Sequence, residues 1–215
     1  MKTTNYLFIL IFCFIRITAE AQLSFGVRAA YVKAWMEYGD AEVPDGAIIH
    51  VHRYQVTGLV NYDLSQHLSI GLEPGFTQRG AACFPGWIAF LGDTRLLLNY
   101  FELPVMATYR FPVFKNKYEA YGKTGFGVSK ALSAYRRISN AGTGNPPDKR
   151  KLDMEDSNLR QWDNGFYGGL GLARKLGNSR LFLEADYYHG LRDVDILNTS
   201  RNRSIHIGLG YTTTL

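Results

Sequence analysis

The chain has 215 residues, with 24 basic and 19 acidic side chains for a formal charge of +5, and it carries 22 glycines, 14 tyrosines and 13 phenylalanines. That length suits one domain and is enough for a full barrel or sandwich. The charge is modest and its basic residues are scattered rather than ranged along one helix or stripe, so no nucleic-acid footprint is present.

The first element in chain order is MKTTNYLFILIFCFIRITAEAQ. Lys2 precedes an apolar run from Tyr6 to Ile15, and Ala19-Glu20-Ala21 is a small-residue cleavage site. Residues 1–21 therefore read as a signal peptide cut before Gln22, and residues 22–215 as the mature domain. Arg16 interrupts the apolar run, which counts against a permanent helical anchor. No cysteine follows the cut, which counts against a lipoprotein. Cleavage leaves 22 basic and 18 acidic residues and one cysteine, Cys83, so no internal disulfide can staple the exported domain. No later segment is apolar for long enough to span a bilayer as a helix, so a membrane form would cross as strands.

Eight segments then alternate with period two. LSFGVRAAY sets Leu23, Phe25, Val27, Ala29 and Tyr31 against Ser24, Gly26 and Arg28. RYQVTGLVNY sets Tyr54, Val56, Val60 and Tyr62 against Arg53, Gln55, Thr57 and Asn61. HLSIGLEPGFTQRG sets Leu68, Ile70, Leu72 and Phe76 against Glu73, Thr77 and Arg79. YFELPVMATYRF sets Phe101, Leu103, Val105, Ala107, Tyr109 and Phe111 against Glu102, Thr108 and Arg110. In YEAYGKTGFGVS the glycines predict a bulge, and the best phase puts Phe126 and Val128 on the apolar side with Glu119 and Lys123 opposite. DNGFYGGLGL opposes Phe166, Leu170 and Leu172 to Asp163 and Tyr167. LFLEADYYHG opposes Leu181, Leu183, Ala185 and Tyr187 to Glu184 and Asp186. SIHIGLGYTTTL opposes Ile205, Ile207, Leu209 and Tyr211 to His206.

The connections alternate as well. Short turns are expected around 63–67, 112–117 and 177–180, and long polar loops around 36–50, 80–95, 135–162 and 190–202. The apolar faces carry no charge through their middles, and aromatic residues sit near the strand ends, as in interfacial girdles. The expected fold is all-β: an eight-stranded antiparallel up-and-down transmembrane β-barrel with short periplasmic turns and long extracellular loops, placed in the bacterial outer membrane. Its contacts would be outer-membrane lipid and lipopolysaccharide. Eight strands enclose a lumen about wide enough for side chains to fill. Arg28, Arg53, Arg79, Arg110 and Lys123 would face Glu73, Glu102, Glu119, Asp163, Glu184 and Asp186 inside it. Unpaired charges there would each cost several kcal/mol or more. Glu73, Glu102 and Glu184 should then each find a basic partner among Arg28, Arg53, Arg79 and Arg110. A plugged lumen argues against a wide pore. The loop residues Phe84, Trp87, Ile88 and Phe90 form an apolar set suited to a protein partner.

The segments Tyr100–Phe111, Tyr118–Val128, Leu183–Val194 and Ile205–Tyr211, with the A-E-A before Gln22, resemble the PorT-type outer-membrane β-barrel domain family of Bacteroidetes-like bacteria. The resemblance covers nearly all of the mature chain. It implies an eight-stranded barrel inserted by the outer-membrane assembly machinery, and an accessory role in protein secretion as one function found in the family. Such barrels usually end on an aromatic residue. This chain ends YTTTL, which keeps Tyr211, Thr213 and Leu215 on the outward parity and reads as a weakened but usable insertion signal.

Two other functions are open. A lipid-modifying enzyme would need a nucleophile, a base and an orienting acid within reach of one another. His189, or Ser204 with His206 and a neighbouring Asp186 or Glu184, are the candidates, with the plain alternative of a rim histidine and an inward polar pair. A soluble lipocalin-like binder of an apolar ligand is the other. His50 and His52 share a face but lack a third metal ligand, and Asp193 and Asp195 lack the frame of a calcium loop and read as loop solvation. No enzyme activity, cofactor or metal is expected.

Overall fold

A chain with one oily and one polar face per strand must pair every backbone group somewhere, and this one does so by closing its sheet on itself. The computed structural model describes residues 22–39, 48–83, 94–114, 117–138, 148–154, 158–195 and 199–215. The expected signal segment and the loop residues Phe84, Trp87, Ile88 and Phe90 lie outside the described residues. Eleven strand segments are present: β1 (Gln22–Tyr38), β2 (Ile48–Ile49), β3 (Val51–Asp63), β4 (Leu68–Leu72), β5 (Gly75–Cys83), β6 (Thr94–Val113), β7 (Tyr118–Ile138), β8 (Asp148–Leu152), β9 (Trp162–Leu176), β10 (Ser179–Asp195) and β11 (Ser200–Thr214). Antiparallel pairing runs from β1 through β3, then β4 and β5, then β6, β7, β9, β10 and β11. It closes where Val27 faces Gly58 of β3 on one side and Tyr211 of β11 on the other.

The count differs from eight because of interruptions and additions. Pro74 has no amide proton to give a ladder, so the expected strand from Leu68 to Arg79 is split into β4 and β5. The wall holds across the break: the Glu73 amide donates to the Pro104 carbonyl, and the Gly58 amide donates to the Pro74 carbonyl. β2 and β8 are short ribbons added to β5 and β7 beyond the ring.

Outward residues follow the oily parity. Val27, Val56, Ile70, Leu103, Val105, Leu183 and Leu209 are exposed, and Leu170 is 72% exposed. Aromatics bracket this band. Tyr54 and Tyr62 are eight residues apart on β3, as are Phe101 and Tyr109 on β6. At about 3.3 Å per residue and a tilt of about 40°, eight residues give about 20 Å of height, close to the roughly 25 Å apolar band of an outer-membrane barrel. Among the described residues no helix is long and apolar enough to cross a membrane.

The long-loop end departs from the sequence reading. The expected bulge among the glycines of 122–127 is not there, and β7 stays in register through them. The bulge comes at Leu132, opposite Asn99 and Tyr100, where one extra residue resets the parity so that Ala134 is again buried. The expected loop at 190–202 is mostly strand: β10 runs to Asp195 and β11 starts at Ser200. Asp193 is thus a strand residue paired with Arg201 rather than a solvated loop residue. β6 has 20 residues and β7 has 21, about twice the 9–11 that a tilted crossing needs, so these walls project beyond the band.

The ring also parts at that end. Pairing of β3 with β5 stops at Gln55 and Thr77, and β5 continues against β2 instead. Gly80, at φ 145°, adopts a backbone disfavoured for other residues, and a Cβ there would collide with the Leu96 carbonyl. From that point Ala82 and Leu97, on the outer face of β5 and β6, pack against Val32, Ala34 and Val51 on the inner face of β1 and β3. The tip of the β5–β6 pair therefore leans into the mouth of the barrel.

Replacing Leu170 by Arg places a charge in the middle of the oily band. The expected loss is about 2–4 kcal/mol in a bilayer, measured by urea-dependent refolding into phosphatidylcholine vesicles. At an equally exposed site facing water the change would stay within about 0.5 kcal/mol.

Candidate functional site

Strand alternation decides which side chains enter the lumen, and the register of neighbouring strands decides which of them meet. Glu184 and Asp186 of β10 point inward two positions apart. Arg28 comes from β1, Lys123 from β7, and Glu73 from the break between β4 and β5. Arg28 Nη1 lies 2.8 Å from Asp186 Oδ2, 3.3 Å from Glu73 Oε2, and in contact with Glu184. Lys123 Nζ lies 2.7 Å from Glu184, 3.2 Å from Asp186 and 3.3 Å from Glu73. Two cations are thus shared among three carboxylates at the centre of the barrel. The Tyr121 hydroxyl donates to Glu184 at 2.8 Å. Its ring lies so close to Gly171 that any Cβ there would overlap it.

A second layer sits towards the long-loop end. The fully buried Arg79 donates to Glu102 Oε2 at 2.5 Å and to the Tyr167 oxygen at 2.9 Å. Its guanidinium carbon lies 3.8 Å from the Tyr188 ring centroid, a cation–π contact strengthened by desolvation. The Tyr167 hydroxyl donates to Glu102 at 2.9 Å. Asp163 is 4.0 Å from Arg79 and accepts from Asn202 at 2.8 Å. Gln55 ties the layers together: it accepts from Arg28 at 3.1 Å and donates to Glu102.

A third group caps the short-turn end. Arg110 holds Asp63 at 2.9 Å, and Glu119 is held by Arg180 and Lys175, each at 2.9 Å. A cavity of about 50 Å³, lined in part by Glu73, Arg110, Tyr121, Lys123 and Arg180, separates this group from the central cage. It has room for a few water molecules. Such a lumen offers ionised groups where an apolar ligand would need hydrocarbon.

Of the eleven residues assigned to the lumen from sequence, Arg28, Glu73, Lys123, Glu184 and Asp186 meet in the centre. Arg79, Glu102 and Asp163 meet above them, and Arg110 and Glu119 lie at the turn end. Arg53 is the exception. It is half-buried at the parted seam, donates to the His52 carbonyl at 2.9 Å and stands in the field of Arg95 and Arg137 rather than beside a carboxylate. Glu73, Glu102 and Glu184 are partnered by Arg28, Lys123 and Arg79, while Arg110 takes Asp63. Sequence reading missed Asp63, Lys175 and Arg180, which sit at strand ends read as turns. The alternation sets Tyr167 and Tyr188 on the inward face but gives their phenols no place in the charge network, and it leaves out Tyr121, whose inward parity was the available signal.

The hydroxyl of Ser204 lies 2.8 Å from His206 Nε2, and both residues are buried inside the lumen. Asp186 pairs in register with His206, but its Oδ2 is engaged by Arg28 and Lys123, and His206 Nδ1 has no hydrogen-bond partner among the described residues. The orienting acid of a triad is thus not in place. His189 is exposed beside Tyr187, away from Ser204. His52 meets the Tyr31 hydroxyl and His50 edges Trp35. Among the described residues no group of His, Cys, Asp and Glu is arranged to hold a metal ion.

Glu102→Leu would strand the Arg79 guanidinium in the core, with Asp163 too distant to replace the lost bond. The expected cost is about 3–5 kcal/mol. Adding Arg79→Met should recover part of it, giving a coupling of at least about 1 kcal/mol in a double-mutant cycle read by urea refolding into vesicles.

Comparison with known proteins follows the geometry. No curated protein matches the chain. Among solved structures it is similar in fold to Neisserial surface protein A, at 15% identity and a TM-score of 0.48 over 88% of this chain and 96% of that one. It is likewise similar to the outer membrane protein OprG from Pseudomonas aeruginosa, at 13% identity and a TM-score of 0.49 over 92% of this chain and 96% of that one. Ail, the attachment invasion locus protein of Yersinia pestis, matches at 13% identity and a TM-score of 0.42 over 89% of this chain and 99% of that one. The family described as outer membrane protein beta-barrel domain matches over residues 13–195. The chain belongs to the outer membrane protein beta-barrel domain family.

Proposed function

We propose that this chain, exported with residues 1–21 removed, is an integral outer-membrane barrel of eight staves. Its lumen is a structural plug, and its projecting long-loop end does the work, as a scaffold, surface or accessory protein. The single observation that carries this reading is the polar network from Arg28 and Lys123 through Gln55 and Glu102 to Arg79 and Asp163, which ties opposite walls across the bore and is capped at the turn end by the separate group of Asp63 and Arg110. Moving a solute through it would require breaking several buried charge pairs, each of which costs several kcal/mol to leave uncompensated. The resemblance to PorT-type barrels offers protein secretion as one form of the accessory role. Against a lipid-modifying enzyme stands the placement of Ser204 and His206 inside the plug, out of reach of an acyl chain. The walls of β6 and β7 that stand clear of the oily band supply a surface for partners outside the membrane.

Two measurements test this. The folded barrel should run as a heat-modifiable band on electrophoresis and resist carbonate extraction from outer membranes. Phosphatidylcholine vesicles containing it should retain small sugars as well as empty vesicles do, whereas a variant carrying Arg28→Ala, Lys123→Ala and Arg79→Ala should leak. Sugar flux through the parent barrel at the rate of a porin would refute the plug.

A further inference from the structure

Above Gln55 and Thr77 the seam between β3 and β5 is unpaired, and a cleft of about 430 Å³ opens there between the inner face of β3 and the outer face of β5 to β8. It is lined by Arg53, Gln78, Leu97, Asn99, Tyr135, Arg137 and Lys149. The register brings its cations together: Arg95 of β6 lies opposite Arg137 of β7, and Arg137 lies opposite Lys149 of β8. Arg137 and Lys149, like charges directly opposite one another on neighbouring strands, repel, and Arg53 adds a third positive charge to the lining from across the seam. Its Nε is buried and makes no hydrogen bond within the described residues. Gln78 and Asn99, joined at 2.9 Å, supply amide groups on the floor.

The height of the cleft identifies its occupant. Tyr54 stands at the foot of the opening on β3, one residue past the last paired position Gln55, and Phe76 and Phe101 face each other just below it on β5 and β6. The Tyr54 and Phe76 rings are 6.2 Å apart. These belong to the aromatic belt that marks the membrane interface. Arg53 follows Tyr54 directly, at the level of the lipid head groups, where anionic lipid attracts basic side chains, and Arg137 and Lys149 line the same cleft from the far ends of β7 and β8. Arginine forks match phosphate oxygens in pairs, and the lysine adds a point charge. We propose that this lateral cleft binds the phosphorylated sugar head group of an outer-leaflet glycolipid, with Arg53, Arg137 and Lys149 on the phosphate and Gln78 and Asn99 on the sugar. The occupant offsets the repulsion that the sheet register builds into β7 and β8.

The inference rests on the membrane placement proposed above and is tested so that the two fail separately. The full mature barrel is folded into phosphatidylcholine vesicles with and without bis-phosphorylated lipid A, and lipid A retained after detergent extraction is measured by native mass spectrometry. A variant with Arg53→Gln, Arg137→Gln and Lys149→Gln should still insert and show the heat-dependent band shift, yet retain lipid A about tenfold less well or worse, as expected for the loss of at least one charge-assisted contact. Lys149→Gln alone, on the exposed edge ribbon, should show a smaller loss in the same direction and serves if the triple variant misfolds. Equal retention by parent and variants, with insertion intact, overturns the cleft as a lipid site. Full displacement of lipid A by inorganic pyrophosphate, with equal binding of a soluble phosphorylated disaccharide, overturns the lipid as its source. Failure of the parent to insert into neutral vesicles removes the membrane placement, and the inference with it.

Discussion

Everything in this molecule depends on the pairing of β1 with β11. Without that seam the first and last strands would present open edges, and hydrocarbon has no hydrogen bonds to offer them. With it, β1 is paired on both sides from Ser24 to Ala34, and an enclosed interior exists. Enclosure then imposes its own demand. A carboxylate sent inward by strand parity is cut off from bulk water, so it must meet a cation, and the register must be the one that lets it do so. The cage of Arg28 and Lys123 among Glu73, Glu184 and Asp186 is drawn from four places around the ring. It forms in one register: a one-residue slip would turn every one of these charges towards lipid.

Inward polarity was readable from sequence because it follows a period of two that needs no knowledge of neighbours. What stayed hidden is what depends on neighbours. Asp193 and Arg201 look like loop residues by composition, yet they extend a hairpin because each strand supplies the other's hydrogen bonds. The break at Pro74 was visible as a proline, but its repair by the Pro104 and Gly58 backbones depends on strands far away in sequence. Alternation sets Tyr167 and Tyr188 on the inward face, as it does Tyr121, without saying what their phenols meet there. Their phenols turn out to serve as extra donors and as a ring face for Arg79, a role set by which residue stands across the bore.

Arg53 shows the limit most clearly. Its parity is inward, and parity was the whole basis for placing it in the lumen. But β5 turns at Gly80 and leans into the mouth, so the inner face of β3 at this height looks onto the outer face of β5 and β6. A side chain that obeys the alternation thus ends in a cleft with Arg137 and Lys149, because inside and outside have exchanged meaning where the wall parts.

That exchange joins the two halves of the molecule under one rule. In the closed bore the chain supplies both signs itself, and each buried cation of the central cage meets carboxylates of its own. At the parted seam the described lining supplies one sign, Arg53 from β3 facing Arg137 and Lys149, which the register sets opposite one another. A surface facing water could leave such a cluster to counterions, but this one opens at the level of the aromatic belt, where water gives way to lipid head groups. The same electrostatic accounting that seals the lumen therefore leaves a demand for negative charge at one height on one side of the barrel, and the leaflet beside it is the nearest phase with phosphate to meet it.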